Sequence, residues 1–231
     1  SGMALLALAT AAAEGFVPVP LLALLKHPLV NGGQERLAWL DGARALDMAL
    51  RGPRPAASLA AITAFLATGD ERTKKTRSAA LEWWHEVAPL LEPAEAMFRN
   101  GGTMGQLLEV LRTTLETLCG DGVWAGEAGR ALADLFADLQ AHSDEAPARV
   151  EAFILPRLLR QLLEATTARP ARGGHPRVFI WGLLEAKLQS AETMILGGLN
   201  EGIWPALPTP DPWLAPAVRR QLGLPSLERR I

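Results

Sequence analysis

The stretch MGQLLEVLRTTLETL, residues 104–118, indicates the fold class. Its apolar residues return every three or four positions, which places them along one face of an α-helix and the polar residues on the other. The stripe consists of Leu107, Val110, Leu111, Thr114, Leu115 and Leu118. Because an apolar stripe needs a neighbouring helix to cover it, the stretch predicts a layer of packed helices.

The same composition continues on both sides of this stretch. Ala, Leu, Glu and Arg dominate residues 3–167, and Gly or Pro recurs where helices are expected to end. Residues 1–171 are therefore predicted to form a helical domain. The expected helices are Ala4–Glu14, Pro18–Leu25, Gln34–Leu50, Ser58–Ala67, Thr76–Leu91, Met104–Leu118, Glu127–Gln140 and Ala148–Thr167.

The composition changes near residue 169, where the run RPARGG is typical of a loop. The apolar runs 177–181 and 193–196 predict two strands, with a helical segment at 183–189 between them and a last helix at 217–222. Nearly all-apolar strands are typical of a sheet buried on both faces. Since two strands alone do not make a stable sheet, we expect residues 172–231 to form a small, incomplete α/β segment. The fold class is thus mainly α.

Composition excludes several classes of protein. A net charge of −2 over 231 residues is not that of an autonomous nucleic-acid-binding module. Cys119 is the sole cysteine, which rules out an intrachain disulfide or a four-cysteine cluster and is typical of the reducing cytoplasm. No apolar run reaches the roughly 18–20 residues of a membrane span. Ser1-Gly2-Met3 is typical of a cloning remnant, and the sequence stops at residues 228–231 without a closing element, so we expect an excised fragment of a longer protein.

The chain offers no catalytic pattern. It lacks the Gly-x-x-x-x-Gly-Lys-Ser/Thr loop that binds nucleotide phosphates, and its four histidines are isolated from one another. Asp134 and Asp138 stand four residues apart on one predicted helix, a spacing that fits a metal-binding pair but equally a solvated helix face. We therefore predict no catalytic, cofactor or metal site within this chain.

Two groups of basic residues are candidates for phosphate contacts. Lys74, Lys75 and Arg77 lie before or at the start of a predicted helix, where positive charge and free backbone amides can meet a phosphate. Arg172 and Arg177 lie in the loop that leads into the first predicted strand. The alternative interpretation of both groups is a solubilising surface run.

Aromatic residues offer a further hypothesis. The chain has seven tryptophans and no tyrosine, and Trp83-Trp84 places two rings on neighbouring faces of a predicted helix. An exposed ring can stack on a base. Alternatively, such rings mark a packing seam or a partner interface.

The stretch HPRVFIWGLLEAKLQSAETMILGGLNEGIWPAL, residues 175–207, resembles the AddB subunits of bacterial AddAB helicase–nucleases, particularly the alphaproteobacterial type. Residues 15–29, 50–55 and 222–231 resemble the same family. The resemblance thus extends over most of the chain, and 175–231 is its most diagnostic part.

The resemblance implies that this segment is part of the second motor domain of a superfamily 1 helicase. There a strand, a Gly-Leu-Glu element, a second strand and a tight turn follow one another, as do 177–181, 182–185, 194–198 and 199–205 here. Glu185 would brace the loop between the strands. Asn200, Glu201, Gly202 and Trp204 would shape the turn, although such a turn can also simply cap a strand.

The resemblance also implies a non-catalytic role. Active helicases carry a lysine before Gly-Leu-Glu, whereas this chain has Trp181, which argues against ATP-coupled function. The helical part would be an insertion that holds or guides double-stranded or forked DNA and supports the AddA-type motor subunit during repair of double-strand breaks. The family's iron–sulfur cluster and its nuclease divalent metal would lie outside this chain.

Two alternatives stay open. The first is a scaffold that docks the motor subunit without touching DNA, and it predicts an exposed apolar patch around Trp83 and Trp84. The second is an unrelated helical enzyme with a small-molecule pocket, and it predicts a deep polar pocket containing perturbed carboxylates.

Overall fold

The computed structural model divides the chain into two compact units, residues 1–173 and 174–231. The structure describes residues 1–52, 54–69, 73–168, 177–182, 185–198, 200 and 213–225. The boundary that the sequence predicts, between residues 171 and 172, lies outside these ranges.

Helices build the described part of the first unit, so the prediction of a mainly α fold is confirmed. Short 3-10 turns lie at Asp121–Trp124, Ser143–Glu145 and Ala152–Ile154. The α-helices are α1 (Gly2–Ala13), α2 (Pro18–Leu25), α3 (Arg36–Ala49), α4 (Leu59–Ala67), α5 (Lys74–Asn100), α6 (Met104–Cys119), α7 (Gly126–Ala141) and α8 (Leu155–Ala165).

Helix α6 begins at a capping box. The Thr103 hydroxyl accepts a hydrogen bond from the backbone N–H of Gln106 at 3.3 Å, and the Gln106 side chain accepts one from the N–H of Thr103 at 3.0 Å. The helix ends at Gly120, whose φ of +63° is readily adopted only by glycine. Both boundaries follow from local sequence, which is why they lie within one residue of the predicted ones.

Helix α1 lies at the centre of the core. Ala4, Leu5, Leu8, Ala9 and Ala11 are fully buried and together span about 160° of the helix circumference. A buried face this wide must be covered by several neighbours, and α1 contacts α2, α5, α6, α7 and α8. Helix α1 is therefore the element on which five other helices of this unit pack, while Met3 on its opposite side is exposed.

Helix α5 is longer than the sequence predicts. It runs through Pro89 and Pro93, whereas the prediction ends the helix at residue 91. A proline in a helix removes one backbone donor and crowds the carbonyl four residues earlier. Both prolines are exposed, so water can solvate the carbonyls that lose a partner, and packing of the buried face carries the helix onward.

The second unit differs most from its prediction. No β-ladder forms at 177–181 or 193–196 in the described part of this unit, and residues 185–188 of the predicted helical segment 183–189 form a turn. Ile180 and Ile195 are 98% and 90% exposed. Without further strands or a covering layer, no burial offsets the cost of ordering a strand pair. The last helix, α9, spans Pro216–Gln221.

None of the helices in the described ranges is both long and apolar enough to cross a membrane.

Candidate nucleic-acid interface

The start of α5 carries two exposed cations. Lys74 and Lys75 occupy its first turn, and that turn contains no acidic residue. The N-terminus of a helix carries partial positive charge, so lysines there repel the helix dipole. The same arrangement presents ammonium groups beside the backbone amides of a helix start, which together favour an anion such as a phosphate.

Arg77 has a structural position instead. Its Nη1 donates to the carbonyl oxygens of Phe65, at 3.1 Å, and of Thr68, and its guanidinium carbon lies 3.9 Å from the centre of the Phe65 ring. These carbonyls belong to the C-terminal end of α4, where a cation is favourable. Arg77 therefore holds α4 and α5 together and is not a free cation. The other two basic residues predicted at this site, Lys74 and Lys75, face solvent.

The remainder of α5 limits the extent of this interface. Beyond its first turns, the helix carries exposed carboxylates at Glu82, Glu86 and Glu92. These side chains repel a polyanion. A nucleic acid would therefore meet only the first turn of α5.

The second predicted basic group consists of Arg172 and Arg177, and the structure describes only one of the two. Arg172 lies outside the described residues. Arg177 is exposed, and its Nη2 lies 3.6 Å from Oε2 of Glu192. That carboxylate offsets part of the positive charge of Arg177. The arginine therefore attracts a phosphate less strongly than an arginine without a neighbouring acid.

The residues of the helicase-like motif are only partly described. The carboxylate of Glu185 accepts a hydrogen bond from the backbone N–H of Gly182 at 2.6 Å, which fastens a local turn. Asn200 is exposed, and its backbone N–H donates to the carbonyl of Gly198 at 2.8 Å. Glu201, Gly202 and Trp204 lie outside the described residues.

The adjacent tryptophans pack inside the first unit. Trp84 is fully buried, and its Nε1 donates to the Thr63 hydroxyl at 3.0 Å. Trp83 is half-buried and lies edge to face with Trp39, with 5.1 Å between ring centres. The two rings form a packing seam, which leaves neither of them free to stack on a base or to form the exposed patch that the scaffold alternative predicts.

The first unit has an open cavity of about 450 Å³ between α6 and α7. The Glu116 carboxylate on its wall accepts hydrogen bonds from Arg112 Nε at 3.1 Å and from Trp124 Nε1 at 3.0 Å. A carboxylate satisfied in this way has a structural role. The cavity is also lined by Asp121.

The remaining titratable groups form no cluster in the described part of the chain. Asp134 and Asp138 are exposed, which fits a solvated helix face. Burial lowers the pKa of His27 and raises the pKa of Cys119 to about 11. Within the described ranges, no three His, Cys, Asp or Glu side chains come close enough to hold a metal ion.

Two further arginines, Arg157 and Arg160, are exposed on the outer face of α8, which follows the turn that contains the exposed Phe153. They are not among the basic residues predicted from the sequence. The pattern LPRLLRQLL, residues 155–163, contains the signal. Its leucines fall on one helical face, which leaves both arginines on the other.

Comparisons with protein-family models, with curated proteins and with solved structures each returned no match. Family and function therefore stand as proposals that rest on the residues themselves.

Proposed function

We propose that this chain is a non-catalytic, helicase-like segment of an AddB-type subunit, acting in the cytoplasm in the repair of double-strand breaks. Its helical unit would hold or guide double-stranded or forked DNA while an AddA-type motor subunit works. The resemblance of residues 175–207 supports the family. The paired lysines at the start of α5 support the contact with DNA.

The observation that carries the DNA contact is the exposure of Lys74 and Lys75 in a helical turn without a carboxylate. Lysines at that end reduce the stability of the helix unless an anion neutralises them. A phosphate of the DNA backbone supplies that anion and releases counterions as it binds.

The test is fluorescence anisotropy of a labelled forked DNA, titrated with the whole chain at about 50 and 200 mM salt. We expect saturable binding that weakens as salt rises. Lys74→Ala/Lys75→Ala should weaken binding and lower the slope of log K against log salt by about 1.8, which is two phosphate contacts at about 0.9 each.

A matched control is Arg44→Ala/Arg130→Ala. It removes the same charge from two exposed arginines that already pair with Asp41 and Glu127 on their own helices. We expect this variant to retain the salt slope. Equal losses in the two double variants would mean that net charge alone governs binding, and unchanged binding by the lysine variant would contradict the proposal.

A second candidate function is docking onto the motor subunit, and the exposed apolar side chains of the second unit favour it. Ile180 and Ile195 stand almost fully in solvent, a cost that covering by another chain or by further strands would remove. On this proposal, 177–181 and 193–196 become strands of an α/β sheet that the longer protein completes. Ile180→Ser/Ile195→Ser should weaken co-purification with the motor subunit and leave binding of forked DNA unchanged.

A further inference from the structure

The outer face of α8 combines an exposed ring with two exposed cations. Helix α8 packs on α1 through its buried side, where Leu155 and Leu159 are 1% and 0% exposed. Phe153, in the 3-10 turn that leads directly into α8, is 69% exposed. Arg157 and Arg160 are exposed as well. We call Phe153, Arg157 and Arg160 the α8 face.

Helical geometry brings the two arginines together. One residue advances an α-helix by about 100°, so Arg157 and Arg160 lie about 60° apart, on the side opposite the buried leucines. Side chains three residues apart on one face of a helix are neighbours. Phe153 lies in the 3-10 turn Ala152–Ile154, directly before α8 and four residues before Arg157. The exposed ring therefore stands at the N-terminal end of the helix that carries both guanidinium groups.

Neither guanidinium of the α8 face has an ion pair or a hydrogen bond with any residue in the described part of the chain. Arg112 and Arg130, in contrast, pair with acids four and three residues away on their own helices. Glu164 is exposed four residues after Arg160 and falls on the same side of α8, but it forms no ion pair with Arg160. Its carboxylate lowers the net charge of this side of the helix, while both arginines keep all of their hydrogen-bond donors.

We propose that the α8 face binds single-stranded nucleic acid. Arg157 and Arg160 would each donate to a phosphate, because the planar guanidinium matches phosphate oxygens in a bidentate arrangement. Phe153 would stack on an unpaired base. A duplex shields the faces of its bases, so the exposed ring selects a single strand. This site is separate from Lys74 and Lys75.

The charge of the α8 face argues against an apolar protein surface as its binding partner. Apart from Phe153, the large apolar side chain beside the arginines is Ile154, which is 46% exposed. An apolar partner would have to strip water from two unpaired guanidinium groups without returning hydrogen bonds, which is costly. A phosphate backbone returns those bonds and supplies opposite charge.

The experiment measures binding of the whole chain to a labelled oligothymidine of about 20 nucleotides by fluorescence anisotropy, between about 50 and 200 mM salt. Arg157→Ala/Arg160→Ala should lower the salt slope by about 1.4, which is two single-strand phosphate contacts at about 0.7 each. Phe153→Ala should weaken binding by about 5- to 150-fold without changing the salt slope. Phe153→Trp keeps an aromatic ring and should retain the affinity of the unchanged chain.

The control is again Arg44→Ala/Arg130→Ala, which should retain both slope and affinity. Oligothymidine binding that is unchanged in Arg157→Ala/Arg160→Ala would overturn the proposal. So would a chain that does not bind oligothymidine, in which case an acidic protein partner becomes the better occupant of this face. Lys74→Ala/Lys75→Ala tests the forked-DNA site separately, so either proposal can fail while the other holds.

Discussion

At the scale of single residues, Gly129 of α7 leaves no room for a side chain, because it lies against the backbone of Trp124. A methyl group on this residue would lie 2.8 Å from the Cα atom of Trp124 and closer still to its carbonyl group. Backbone atoms cannot rotate away as a side chain can, so α7 would have to move. Gly129→Ala should lower the free energy of unfolding by about 1–3 kcal/mol, although alanine favours a helix by roughly 1 kcal/mol. Urea unfolding followed by circular dichroism measures this.

Gly105→Ala provides the control for helix propensity. A methyl group at Gly105 of α6 would lie 3.3 Å from the Ser143 hydroxyl oxygen, and that side chain can yield by a small rotation. We expect the free energy of unfolding to stay the same or to rise by up to about 1 kcal/mol, which is the preference for alanine over glycine in a helix. If both variants unfold at the same urea concentration, the close approach of α7 to Trp124 does not limit stability.

Burial makes the Cys119 thiol unreactive. It raises the pKa of the thiol from 9.0 to about 11, and only the thiolate attacks thiol reagents. Labelling of the native chain at pH 8 should therefore be at least about 100-fold slower than labelling in denaturant. Because the folded state holds this proton more tightly, stability should also decline as pH rises above 9. Equal labelling rates in the native and denatured chain would contradict the burial of this side chain.

The sequence predicts exposed site residues better than buried ones. Lys74 and Lys75 could be placed at a helix start from their neighbours in sequence. The role of Arg77 could not, because it depends on carbonyl groups of Phe65 and Thr68 that only the packing of α4 on α5 brings within reach. The arginines of the α8 face were within reach of the sequence, since the leucine pattern alone separates them from the buried side.

At the scale of helices, α5 holds α4 at both ends. The Glu95 carboxylate accepts a hydrogen bond from the N–H of Leu59 at 2.7 Å, at the start of α4. Arg77 donates to carbonyls at the other end. Each charge is opposite in sign to the partial charge at its end of α4, so both contacts stabilise the antiparallel pair.

Arg77→Met tests this arrangement, because it keeps the aliphatic part of the side chain and removes the donors. We expect the free energy of unfolding to fall by about 1.5–3 kcal/mol, the usual value of hydrogen bonds from a charged donor. The matched variant Arg44→Met removes an exposed pair with Asp41 and should cost less than about 1 kcal/mol. Similar losses in both variants would show that α4 does not depend on Arg77.

Helix boundaries could be predicted where local chemistry sets them. The capping box at Thr103 and Gln106 is readable in the sequence. The continuation of α5 past residue 91 and through Pro93 is not, because it depends on which face of the helix meets solvent. The runs at 177–181 and 193–196 have strand-like composition, but a strand also needs partners, which composition cannot report.

At the scale of the whole molecule, the apolar core lies entirely in the first unit, as far as the structure describes the chain. Every residue of the buried cluster falls between Ala4 and Leu159. The described apolar side chains of the second unit are largely exposed, and Leu188, Ile195 and Trp213 are at least 87% so. The apolar burial that stabilises the fold therefore comes from the helices of the first unit. The second unit leaves apolar surface exposed, which is available to a binding partner.

This division predicts where a hydrophobic dye binds. The whole chain should enhance the fluorescence of ANS, a probe of exposed apolar surface, and a chain ending at Ala168 should do so only weakly. The shorter chain should keep a cooperative thermal transition, because it retains the whole buried cluster. Addition of the motor subunit to the whole chain should then suppress the dye signal if docking covers the second unit. Strong dye binding by a well-folded shorter chain would instead place the uncovered apolar surface on the helices, and the docking proposal would have to move there.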